Sequence, residues 1–193
     1  MQGTFFIIMW VSWSGKSTIL QEIIKNPHIA YVPSYTTREP RPGEEDGKPY
    51  CFITDAKFQE WVDTDQFVEY AIVHQTSYYG TKRSDIQQII DQGEYPLKEI
   101  DMQGLIIMQD AKDTPWKMIP IFLDVDDETI RERILLRNAW TSQEEIGRRI
   151  TSAQTEREEA KNRCDYIIDA NQPVEKVIAA VQKIIEKYII PSS

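Results

Sequence analysis

The stretch Gly15-Lys16-Ser17-Thr18 closes a turn that follows an apolar run and opens a helical pattern, "FFIIMWVSWSGKSTIL" at residues 5–20. A Gly, four residues, Gly-Lys and then Ser or Thr is the pattern of a phosphate-binding loop. Its backbone N–H groups point inward at phosphate oxygens, and the helix N-terminus behind them adds to the field. In that chemistry Lys16 reaches the β- and γ-phosphates of a nucleoside triphosphate, and the Ser17 hydroxyl holds Mg²⁺. The candidate phosphate-binding set is Ser14, Gly15, Lys16, Ser17 and Thr18. A plain helix N-cap at Ser14 or Ser17 is the alternative; the order strand, turn, Gly-Lys-Ser-Thr, amphipathic helix argues for the nucleotide loop. Trp10 fills the leading glycine position, however, and Trp13 stands inside the loop. Glycine lets a backbone take unusual dihedrals and approach an anion closely. An indole at 13 competes for the phosphate's space, and one at 10 distorts the turn.

The second chemical cluster is "SYTTREPRPGEEDGKPYCF", residues 34–52, with Arg38, Arg41 and Tyr50 inside an otherwise acidic chain. Two guanidinium forks and a phenol can grip a terminal phosphate, because arginine presents paired planar donors. The same residues can equally form a solvated turn paired with Glu39, Glu44 and Glu45. The residues alone do not choose between these readings.

Positioning either cluster requires a core. The chain has 193 residues, 41% apolar and 27% charged, enough for one substantial α/β unit with insertions. Residues 4–9 read as a fully buried strand, and 16–24 as a helix with Ile19, Leu20, Ile23 and Ile24 on one face. From about 33 to 93 the texture turns rich in Tyr, Thr, Pro and Gly, with strand-like "QFVEYAIVH" and helical "KRSDIQQIIDQG". Strand-like "YPLKEID" and "WKMIPIFLDV" follow, then a charge-dense segment over 126–163. In that segment Ser142 stands three before Glu145, a capping signature. "CDYIIDA" reads as a strand, and "PVEKVIAAVQKIIEKYI" as an amphipathic helix. Strands alternating with helices predict a mostly parallel, doubly wound sheet.

The net charge of −9 argues against broad nucleic-acid or membrane-surface binding. No apolar run approaches the ~20 residues of a membrane span, and the chain's start lacks a signal-peptide pattern. Cys51 and Cys164 lie far apart without metal-ligand spacing. The expectation is a cytoplasmic protein without disulfides.

Four separated stretches now resemble one family. The loop, "SYTTREPRPGEEDGKPYCF", "FVEYAIVHQTSYYGT" and "EIDMQG" are similar to the signature stretches of guanylate kinases, in family order and over nearly the whole chain. The resemblance implies an α/β P-loop NTPase core, a parallel sheet flanked by helices, at 1–32, 94–125 and 164–193. It also implies an inserted GMP-binding subdomain at 33–93, a helical lid at 126–163, and transfer of phosphate from ATP to GMP with Mg²⁺. Carried over by position, Ser34, Arg38, Arg41, Tyr50 and Tyr79 match residues that hold the GMP phosphate, and Glu69, Thr81 and Asp101 those that read guanine. Chemistry supports this: the Glu69 carboxylate can accept from guanine N1 and N2, and the Thr81 hydroxyl can donate to O6. Adenine would turn its N1 lone pair toward that carboxylate, and mismatched polar sites discriminate by ~10⁴ or more. Tyr78 is expected to pack, with Tyr79 the ligand. Arg133, Arg137 and Arg149 match the catalytic lid arginines, with Arg148 their neighbour; a moving phosphoryl group needs such cations. Glu99 keeps a carboxylate where the family usually has aspartate, which suits Mg²⁺ held through water. His74 has no partner in sequence and is assigned no chemistry. The partners implied are ATP and GMP, on a monomer or homodimer.

Departures from the family are specific. Lys98 replaces an apolar residue, "RNAWTSQEEI" replaces a short Arg-Gly lid turn, and "DANQP" replaces the usual adenine loop, leaving Asn171 as the candidate adenine contact. Trp10, Trp13 and Trp140 all stand where glycine belongs. UGA is read as glycine in some genetic codes and as tryptophan in others, so decoding with the wrong table would convert only glycine sites; UGG codons at 10, 13 and 140 would remove that explanation. A damaged loop beside an intact acceptor pocket also suits a second class, a guanylate kinase-like binding module that has lost catalysis and recognises GMP or a protein ligand.

Overall fold

The computed structural model describes residues 3–11, 16–73, 76–111 and 114–189, with only the backbone of 16, 17 and 73. In chain order the elements are β1 (Thr4–Trp10), α1 (Lys16–Ile23), β2 (Ile29–Tyr31), β3 (Ser34–Thr36), β4 (Tyr50–Phe52), α2 (Asp55–Asp63), β5 (Phe67–Val73) and β6 (Ser77–Lys82). They continue with α3 (Arg83–Asp91), β7 (Tyr95–Glu99), α4 (Met102–Asp110), β8 (Lys117–Asp124), α5 (Asp127–Arg137), α6 (Gln143–Arg163), β9 (Tyr166–Asp169) and α7 (Val174–Glu186).

Five strands form a wholly parallel sheet in the order β2-β7-β1-β8-β9. β1 lies at its centre, and Phe5, Phe6, Ile7 and Ile8 are completely buried. A strand covered on both faces reads as a continuous apolar run rather than an alternation, which is why residues 4–9 stand out in the sequence. The amphipathic pattern near the C-terminus is α7, whose Val177, Val181, Ile184 and Ile185 are buried. In contrast, α4 buries Met102, Gly104, Leu105 and Met108, a mixed pattern that gives no separate signal. The C-terminal ends of β1, β7 and β8 lie along one edge, with Ile8 beside Glu99 and Trp10 beside Leu123. Parallel α/β sheets bind ligands at that edge.

A second sheet, β4-β3-β6-β5, builds its own apolar layer. Phe58 of α2 stacks on Phe67 at 4.5 Å between centroids, and Trp61 meets Tyr35 edge-on at 5.0 Å. Trp61 of α2 thus faces this smaller layer. Gly80 is required here, since a Cβ would come within 2.9 Å of Phe67. The β5–β6 hairpin sets Glu69 directly opposite Thr81, a pairing on which the site depends.

The charge-dense segment forms α5 and α6. Arg157 of α6 donates to Asp124 at 2.7 Å and to Asp127 at 2.6 Å, and also to the Val125 carbonyl, tying α6 to the end of β8. Ser142 caps α6 by accepting from the Glu145 N–H at 3.1 Å. Replacing Ser142 with Ala should cost about 1 kcal/mol. A lowered urea midpoint with unchanged slope is the expected result, and an unmoved midpoint would refute it. No helix among the described residues is long and apolar enough to cross a membrane.

Candidate active site

Elements from both sheets and from α6 enclose a cavity of about 460 Å³. β3 and β4 contribute Ser34 and Tyr50, the loop between them Arg38 and Arg41, and β5 and β6 contribute Glu69 and Tyr79. The strand-end edge of the large sheet adds Trp10, Lys98, Glu99 and Asp101. Seven of the eight residues expected to hold the acceptor therefore share one cavity, Thr81 being the exception.

Arg38 forms an ion pair within the acidic turn, and Arg38 and Arg41 both line the cavity. Arg38 donates from Nη2 to Glu44 at 3.0 Å, and Glu44 also accepts from the Arg41 backbone N–H at 2.7 Å. These bonds hold the Glu44 carboxyl below its usual range, the Arg41 backbone bond first. Arg38 Nε donates to the Tyr79 hydroxyl at 3.0 Å, and its guanidinium lies 5.4 Å from the Tyr50 ring centre. The acidic turn orients a fork that still faces the cavity. Tyr78 instead packs on Phe58, with ring centroids 5.1 Å apart.

Glu69 is 8% exposed and Thr81 is fully buried. The Thr81 hydroxyl donates its only proton to Glu69 Oε1, so it orients the carboxylate rather than facing the cavity as an O6 donor. Burial pushes the Glu69 carboxyl up, opposed by the charge of Lys98 and the Thr81 bond. Asp101 caps α4, accepting from the Gly104 N–H at 2.8 Å, and still lines the cavity. Sequence reasoning gave no role to Lys98 or Glu156, two charged residues that line the cavity. Lys98 carried a signal, as a departure from the apolar residue that the resemblance implies at that position; Glu156, one of several acids on α6, carried none. Burial pushes Lys98 down to about 8, partly offset by Glu69 and Glu99.

On the donor side the picture divides. Trp13, Ser14, Gly15 and His74 lie outside the described residues; Lys16 and Ser17 begin α1, and Thr18 is exposed on it. Arg137 and Arg149 line a second cavity of about 390 Å³ with Ile134, Asn138 and Thr141. Arg133 is set apart: its Nη2 reaches the Ala170 carbonyl at 3.4 Å, and its buried Nη1 has no hydrogen-bond partner among the described residues. Arg148 and Arg149 both pair with Glu145. Asn171 spends its side chain on the loop, accepting from the Asp126 N–H at 3.1 Å and donating to Asp169 at 2.8 Å.

The tryptophans differ in setting. Trp10 extends β1 beside Leu123 and is 6% exposed, with its residue on the cavity wall. Trp140, in the turn between α5 and α6, is 93% exposed; nothing in the structure explains an indole there.

Comparisons with known proteins agree with this geometry. The family profile described as Guanylate kinase matches residues 2–188. The chain is 35% identical over 185 residues to a guanylate kinase of Paramagnetospirillum magneticum, covering 95% of this chain and 84% of that one. It is 36% identical over 157 residues to that of Methylobacillus flagellatus, covering 81% and 76%. In fold it is similar to the crystal structure of guanylate kinase from Anaplasma phagocytophilum, with a TM-score of 0.69 and 22% identity, over 96% of this chain and 86% of that one. With a family match across nearly its whole length and relatives above 30% identity, the chain belongs to the guanylate kinase family.

Proposed function

We propose that this protein transfers the γ-phosphoryl group of ATP to GMP, giving ADP and GDP, with GMP seated in the cavity between the two sheets. The observation that carries the acceptor assignment is the pairing of a buried carboxylate, Glu69, with a guanidinium and phenol cluster on the same cavity. Guanine offers two N–H donors on one edge, which an ionised Glu69 accepts. Arg38, Arg41, Tyr50, Tyr79 and the Ser34 hydroxyl bind the phosphate at the other end, and Asp101 supports the base. A non-bridging oxygen of the GMP phosphate attacks the γ-phosphorus. The new P–O bond forms as the bond to the β–γ bridging oxygen breaks, and that oxygen leaves with ADP.

Lys16 and the loop of Ser14, Gly15, Ser17 and Thr18 bind the donor phosphates, while Arg133, Arg137 and Arg149 bring positive charge to the transferring group. Asn171 is the residue nearest in pattern to an adenine contact. An all-oxygen set, the Ser17 hydroxyl and the Glu99 carboxylate through water, would suit Mg²⁺, a hard cation that keeps several of its waters. Bound there, the ion would neutralise charge between the β- and γ-phosphates.

An ADP-release assay with GMP, AMP and UMP tests the reading. GMP should be preferred by roughly 10³-fold or more in kcat/KM, and calorimetry should show the same order. Equal affinity for AMP or UMP would overturn it.

A further inference from the structure

We propose that Lys98 is a positioning residue for the acceptor phosphate: from the buried wall of the cavity it fixes the Ser34 hydroxyl as a donor toward the ligand, favouring the monophosphate over the bare nucleoside. This rests on reading the cavity as the GMP site. Lys98 is 1% exposed, the only lysine among the fully buried side chains of the described residues, and it lines that cavity. Its Nζ donates to Ser34 Oγ at 2.8 Å and to the Val32 carbonyl at 3.2 Å.

The proton count gives the argument its direction. An ammonium has three hydrogens and no lone pair, so Ser34 Oγ is the acceptor in the bond from Lys98. The hydroxyl's single proton is then free to point elsewhere, and no side-chain or backbone acceptor takes it among the described residues. Ser34 lies beside Tyr50 in the β3–β4 pairing, on the wall where Arg38 and Tyr79 meet. The hydroxyl proton therefore joins an array of donors facing the same space. Burying an ammonium is costly, and an apolar side chain of like volume is often the more stable occupant of such a site. A charge retained at this cost, bonded to one member of a donor array, points to an anion in the cavity. Glu69 of β5, Glu99 of β7 and Asp85 of α3 also act on Lys98, so neutralising those carboxylates is the competing structural role.

The test uses the whole chain with GMP and guanosine as probes. Lys98→Met should raise KM for GMP about tenfold, with kcat little changed, guanosine affinity unchanged, and the thermal midpoint kept or raised. Lys98→Gln, whose amide can still donate to Ser34, should retain most of the affinity. Ser34→Ala should show the same selective loss, and adding Lys98→Met to it should cost nothing more, because interacting residues are non-additive. The proposal is overturned by an unchanged KM in Lys98→Met, by an equal loss with and without Ser34, or by a matching loss for guanosine. Should Lys98→Met not fold, Ser34→Ala still decides: no loss for GMP, or an equal loss for guanosine, overturns it. Failure of the acceptor-site reading looks different, since Ser34→Ala and Glu69→Gln would then both leave KM for GMP unmoved.

Discussion

Replacing Glu69 with Gln should lower kcat/KM for GMP by roughly 10³-fold while leaving the fold intact. The substituted amide can accept with one oxygen, but its NH₂ faces a guanine donor, so one buried hydrogen bond is lost and a donor–donor clash takes its place. The Thr81 hydroxyl can still donate to the amide oxygen, and a buried charge is removed, so thermal stability should hold or rise. The pH dependence follows from the same burial. Glu69 has a raised pKa in the folded state, so the penalty for ionising it is absent below the ordinary carboxylate value and builds as pH rises through the folded pKa. Its contribution to stability is therefore greatest in acid, whereas GMP binding needs the ionised form and weakens there. Binding and stability should move in opposite directions as pH falls, and Glu69→Gln should abolish both trends. Unchanged GMP affinity in this variant would refute the guanine-reading role.

The second large effect concerns the loop. A Trp10→Gly/Trp13→Gly chain should turn over at least ~10²-fold faster than the printed chain, with KM for GMP little altered. Misplacing reacting groups by about 1 Å is enough for such a loss, and Trp10 lies on the cavity wall at the end of β1. Stability adds a second reading of the same variant. If the indole at 10 is an authentic core side chain, its removal should cost about 3–5 kcal/mol; if glycine is the native residue, the thermal midpoint should hold or rise. Trp140→Gly is a useful control, because an almost fully exposed side chain contributes little packing and its loss should not lower stability. Equal, normal turnover of the printed chain and the double variant would overturn the prediction.

How much was legible follows from the range of each interaction. The Gly-Lys-Ser-Thr turn, the buried β1, the Ser142 cap and the amphipathic α7 are local patterns, each set within a few residues. The doubly wound parallel sheet followed from their order. That Arg38 lines a cavity while pairing with Glu44 was not legible, because the pairing within the turn does not say which way the guanidinium faces. Nor was the fate of Asn171, whose amide is committed to Asp126 and Asp169.

By itself the sequence determined the family, through four separated stretches in order along the chain. Tertiary structure alone decided which groups line the cavity and which face each other. Thr81 turned out to serve Glu69, because hairpin register sets them opposite one another. Lys98 became a buried ammonium bonded to Ser34, because the end of β7 meets the start of β3. Residue type sets what a group can donate or accept, but long-range register and burial select its partner, and no local stretch encodes them.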